Sequence, residues 1–269
     1  MTDLPSFLKA SRISLQLNGK AVRKVLQSEA LSVSPKDQIL LAKYISSKAP
    51  LFYRNLDKIA SEMASSQHFG AVIKETLARI PIEPSYRESH FCEIVSGIFA
   101  EEVVGLKRIY SKLTLLSAEN SNAYKMDLVL FRPNTDPLEF VFGEVKSSHK
   151  TSIPPNHHKS CFADLFNSFN GYKAADLNFD LGAAQDHVEA LPSDEREKVK
   201  AALRPYGNRI VTYAGYIVID SSTFLIEEAK VLGTRKNDKE FDVDLICVET
   251  LKDVSSGTFS ILDQQLKAF

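Results

Sequence analysis

Two short segments hold the residue types that handle phosphate esters and the cations that accompany them. Asp127 lies inside Tyr124–Phe131 (YKMDLVLF), and Glu144-Val145-Lys146 ends Leu138–Lys146 (LEFVFGEVK). Residues two apart in a strand share a face, so Glu144 and Lys146 project together, following Leu138, Phe140 and Phe142 on that same face. Asp127 sits between Met126 and Leu128, ahead of Val129, Leu130 and Phe131, which places a carboxylate in a segment apolar on both faces. A charge buried there must be paired, protonated or bound to a metal. Alone, each motif reads as a solvated strand end or a salt bridge. Together, on consecutive strands, they bring two carboxylates and a lysine to one place. Hard divalent ions such as Mg²⁺ are held by one or two carboxylates, with water and phosphate oxygens completing the shell.

The elements that must position these residues follow from the flanking pattern. The polar turn RPNTDP joins the two apolar runs, so they read as a β-hairpin. Ahead of it, His90 to Val104 reads as a helix stopped by Gly105. On its wheel Phe91, Val95, Ile98 and Phe99 form a bulky stripe, while Glu93, Gly97, Ala100 and Val104 form a nearly opposite small one, suited to close approach to a sheet. Glu93 would reach the strand ends, whereas Glu101 and Glu102, at the C-terminal end, read as solvated or salt-bridged, with Glu101 as the main competitor for the site role. After the hairpin, Phe162, Leu165, Phe166 and Phe169 follow helical spacing and read as core, with Asn170-Gly171 closing the helix. A charged helix over Ser193 to Leu203 and strands over Arg209–Asp220 and Phe241–Glu249 complete the pattern.

Residues 1 to about 85 read as helical or irregular: one amphipathic helix from Pro35 through Ile45, a second through Leu51, Leu56, Ile59, Ala60 and Met63, and a continuation over Ala71–Ile80. Pro81-Ile82-Glu83-Pro84-Ser85 breaks the pattern and marks a boundary. The expected organisation is a helical N-terminal extension, 1–85, acting in docking or regulation, and a domain over 86–269.

The order helix, strand with Asp127, strand with Glu144-Val145-Lys146, helix resembles the PD-(D/E)XK nuclease superfamily, with Met126 where that superfamily usually has proline. More narrowly, FCEIVSGIFAEEVVG, YKMDLVLF and FVFGEVKSS look like the HamA family, nuclease subunits of Hachiman anti-phage defence systems, over roughly residues 86 to 250. The resemblance implies an α/β, restriction-endonuclease-like core, a mixed central sheet flanked by helices. It implies a Mg²⁺-dependent DNase, with Mn²⁺ as an alternative ion, that leaves 5′-phosphate ends and assembles with a helicase subunit, HamB. Asp127, Glu144, Lys146 and Glu93 would be catalytic. The metal would be held by Asp127, Glu144, Glu93 and the Val145 carbonyl.

Composition bounds these expectations. The 269 residues, 44% hydrophobic and 25% charged, describe a globular chain with a substantial core. The formal charge of −1 supplies no global attraction to DNA. Locally, residues 1–50 carry eight Lys or Arg against three acids, a mild basic bias. Residues 145–163 contain three lysines and three histidines without an acid, and there Ser147, His149, Lys150 and Lys159 are candidate nucleic-acid contacts. The His157-His158 pair lacks the spacing of a zinc site. Cys92, Cys161 and Cys247 show no paired spacing, and no apolar run is long enough to cross a membrane, so a cytoplasmic protein is expected. Asp242 and Asp244 in FDVDLICVE imitate a strand aspartate, but position 251 is leucine and no lysine completes the motif, so they read as structural. The competing reading is a catalytically silent nucleic-acid-binding or protein-interaction module of the same fold.

Overall fold

The computed structural model describes residues 13–15, 22–30, 35–54, 74–76, 78–115, 126–148, 161–220 and 239–267. Its centre is a seven-stranded sheet with spatial order β1-β2-β7-β6-β5-β4-β3, where β1 is Ile13–Leu15, β2 Val22–Ala30, β3 Lys107–Ser111, β4 Leu128–Arg132, β5 Leu138–Ser148, β6 Arg209–Asp220 and β7 Phe241–Val248. Strands β5, β6, β7 and β2 run parallel, and β4, β3 and β1 join through antiparallel pairings, so the sheet is mixed.

Helices cover both faces. One face carries α1 (Pro35–Lys48), α2 (Pro50–Tyr53), α3 (Pro84–Glu102) and the C-terminal α8 (Leu251–Lys267); the other carries α5 (Cys161–Gly171), α6 (Ala174–His187) and α7 (Ser193–Leu203). A short α4 (Lys112–Leu115) follows β3 directly. This α/β architecture agrees with the expected restriction-endonuclease-like core. Among the described residues, no helix is long and apolar enough to cross a membrane.

Local chemistry accounts for the elements around the hairpin. Pro84 opens α3, where a missing N–H costs nothing. Gly105, at φ +78°, ends it as the Leu106 N–H reaches back to the Ala100 carbonyl at 3.0 Å. In β5, Phe140 and Phe142 pack beneath α5, while Val141 and Val145 face α3. The quartet Phe162, Leu165, Phe166 and Phe169 is buried, as its spacing predicts.

Three expectations need correction. The N-terminal part is helical at α1 and α2, but β1 and β2 are strands, with β2 parallel to β7 over Val22–Ala30. The run VRKVLQSEA interrupts its alternation with Arg23-Lys24, and its strand identity comes from its pairing with β7, where the register shifts between Val22 and Lys24. The helical patterns over 55–73 lie outside the described residues. Of the expected hairpin strand, Tyr124 and Lys125 lie outside the described residues, and β4 begins at Leu128 rather than at Met126 or Asp127, whose side chain takes up a ladder donor, the Val145 N–H. Finally, the close approach made at Gly97 is to α2 rather than to the sheet. A Cβ there would stand 2.3 Å from Cε1 of the buried Phe52 ring, and that ring also lies 3.6 Å from the Arg108 guanidinium carbon. Gly97→Ala should therefore lower stability by about 1–3 kcal/mol, read as a lower urea midpoint with an unchanged slope.

Candidate active site

The β4–β5 hairpin ends in an extended ladder rather than an open mouth. Leu128 opposes Gly143, so Asp127 stands one step further along, opposite Glu144. The Asp127 N–H donates to the Gly143 carbonyl at 3.0 Å, and the Asp127 carbonyl accepts from the Lys112 N–H at 2.8 Å. These bonds lock the Asp127 backbone between β5 and the end of β3.

The Asp127 carboxylate is divided between two donors. Oδ2 accepts from the Val145 N–H at 2.8 Å, and Oδ1 lies 3.3 Å from Lys112 Nζ. On β5, Lys146 Nζ lies 2.6 Å from Glu144 Oε1, the same-face pairing expected two residues apart. Ser168 of α5 donates to the Glu144 carboxylate from the facing helix. That helix comes close because position 215, in register with Glu144, is glycine: a Cβ there would lie 2.4 Å from Leu165 Cδ2.

Glu93 approaches from α3 on the other face of the sheet. Glu93, Asp127 and Glu144 are all buried, and Glu93 Oε2 has no hydrogen-bond partner. Burial first, then the negative charge of Asp127, hold Glu93 well above the ordinary carboxylate range. The same two causes push Glu144 up to about 7 although Lys146 opposes them. Burial would lower both lysines, but Asp127 and Glu93 around Lys112, and Glu144 and Asp127 around Lys146, outweigh it and hold each ammonium above its usual value.

Glu101, the competing helix acid, pairs instead with Arg108 at 3.4 Å, and Glu102 pairs with Lys48 at 2.9 Å. Asp244 is buried opposite Tyr216 on the α3 face of the sheet, two strands from β5, and raises the Tyr216 hydroxyl after burial itself. Ser147 is half-buried and hydrogen-bonds the Cys92 thiol. His149, Lys150, His157, His158 and Lys159 lie outside the described residues. The three cysteines are buried and none is in a disulfide.

Sequence reasoning missed Lys112 and Ser168. Lys112 carried only a faint signal, a lysine directly after the strand run RIYS. Ser168 was a hydroxyl inside the Phe162–Phe169 helix, one residue before a buried aromatic.

Three carboxylates and a backbone carbonyl are hard oxygen donors of the kind that hold Mg²⁺ or Mn²⁺. The unpartnered Glu93 Oε2 and the upward push on Glu93 and Glu144 are what an excess of buried negative charge produces. In donor chemistry the residues fit a hard divalent cation. Among the described residues, no three acidic, His or Cys side chains are arranged to hold a metal ion together, and the two lysines hold Asp127 and Glu144 in ion pairs.

The HamA family model matches residues 25–261, most of the chain and every residue of this site. No curated protein matches the chain.

The electrostatics carry a stability consequence. A carboxyl whose pKa rises on folding loses stability as pH climbs from its unfolded value, near 4.5, to its folded value, near 7 for Glu144. Without divalent cation, Glu144→Gln should therefore be more stable than wild type at pH 8, by on the order of 1–3 kcal/mol, with the gap closing near pH 4.5. Thermal melts at the two pH values check this, and an equal gap at both would contradict it.

Proposed function

The chain belongs to the HamA family of anti-phage defence proteins, and on that premise we propose that it is a metal-dependent DNA nuclease effector working with a helicase subunit. One observation carries the reading: Glu93, Asp127 and Glu144 are buried together at one strand end with Lys146 on Glu144. A module that only bound nucleic acid or protein would gain nothing from burying Glu93 and Glu144 where the charge of Asp127 pushes both carboxyls up.

In this reading Asp127 and Glu144 hold Mg²⁺ or Mn²⁺, with Glu93 and the Val145 carbonyl as further ligands. The bound ion would supply Lewis-acid polarisation of a scissile phosphate and a bound water of lowered pKa. Asp127 is oriented for that task by the Val145 N–H, and Glu144 by Ser168. Lys146, anchored to Glu144, would orient the attacking water and offset negative charge growing on the phosphoryl oxygens. The product would be a phosphodiester cut bearing a 5′-phosphate.

Charge bears on the partner. With a formal charge of −1, the protein alone lacks the field that drives non-specific DNA affinity. Delivery by the HamB helicase would supply it, with the basic N-terminal extension as the docking or regulatory element. Ser147, His149, Lys150 and Lys159 remain the proposed phosphate contacts.

Co-expressed with its helicase and given Mg²⁺, the protein should cut plasmid or linear DNA. Glu144→Gln and Lys146→Ala should each lose about 100-fold or more, while Asp242→Asn keeps activity. Equal cutting by all four proteins would contradict the assignment. A folded complex that binds DNA and never cuts it, with any divalent ion, would favour the silent binding module.

A further inference from the structure

Among the described residues, Lys112 is the ammonium that faces the second oxygen of Asp127. Of the two Asp127 oxygens, Oδ2 is committed to the Val145 N–H, and Oδ1 is the one 3.3 Å from the Lys112 ammonium. Lys146 is committed to Glu144 at 2.6 Å and travels with it on β5. Lys112 belongs to a different element, α4, and its charge also acts on Glu93 and Glu144. A cation reaching Asp127 by Oδ1 meets the Lys112 ammonium there.

The corner that carries Lys112 is fastened to the N-terminal part of the chain. The Phe52 carbonyl accepts from Ser111 Oγ at 3.1 Å and Thr114 Oγ1 at 2.9 Å. Arg79 Nη1 bridges the Tyr53 and Thr114 carbonyls at 2.9 and 3.2 Å. Tyr53 in turn hydrogen-bonds His90 Nδ1 at 2.9 Å, one helical turn before Glu93. Helix α2 thereby grips both α4 and α3, the two elements that present Lys112 and Glu93.

We propose that Lys112 is a positioning residue that acts as a displaceable counter-cation: it occupies the metal's place on Asp127 Oδ1 and sets how tightly the carboxylates take a divalent ion. The inference rests on the metal reading of the site given above. Two cations held on one carboxylate oxygen repel each other, so metal loading drives Lys112 to withdraw, and the α2 clamp resists that withdrawal. Any partner that shifts α2 then changes the metal affinity of the site without touching a ligand.

Two measurements on the full chain test this. Calorimetric titration with Mn²⁺ should show Lys112→Gln binding on the order of tenfold or more tighter than wild type, since a full like charge leaves the site, whereas Lys112→Arg stays near the wild-type value. In the unaltered protein, acetic anhydride labelling followed by mass spectrometry should show Lys112 modified faster when Mn²⁺ is added, with exposed Lys252 unchanged. If wild type binds Mn²⁺ while Lys112→Gln binds it no more tightly, or if the labelling of Lys112 does not rise, the inference fails and the metal site stands. If neither protein binds Mn²⁺, the metal reading fails and the inference with it.

Discussion

Burying the Asp127 carboxylate at the end of the β4–β5 hairpin is the constraint around which the rest of this site is arranged. An uncompensated buried charge is among the costliest features a fold can contain. Here the cost is met from two directions, by a backbone N–H of the neighbouring strand and by an ammonium from α4. The first fixes the hairpin register at Val145, which places Glu144 and Lys146 beside Asp127. The second ties the end of β3 to the hairpin and with it the α2 segment packed on that corner.

The wider architecture serves the same end. Glycine at position 215 lets α5 come close enough for Ser168 to reach Glu144, and glycine at 97 lets Phe52 seat against α3. The strained quantity in the molecule is charge, concentrated where two faces of the sheet meet at one strand end, and the surrounding apolar packing holds it in place.

The sequence made some of this legible and not the rest, for physical reasons. The alternation in LEFVFGEVK and the helical spacing from Phe162 to Phe169 are local signals, and both emerge as read. The helix wheel placed Glu93 ahead of Glu101 without deciding between them, and only the fold shows Glu101 paired with Arg108. Strand β2 was not legible because its identity depends on β7, more than 200 residues later in the chain. Lys112 escaped for the same reason: its importance lies in a pairing across the sheet edge, and no periodicity encodes such a pairing. Family membership covers residues 25–261 and so includes β7, most of β2 and Lys112 itself.

The account turns on whether Asp127 and Glu144 form one cation site. A crystal of the full chain soaked in Mn²⁺ and measured for anomalous scattering tests this most directly. The account predicts a single strong peak within coordination distance of both the Asp127 Oδ1 and a Glu144 carboxylate oxygen. A peak elsewhere on the protein, with both carboxylates still in their lysine ion pairs, would contradict it.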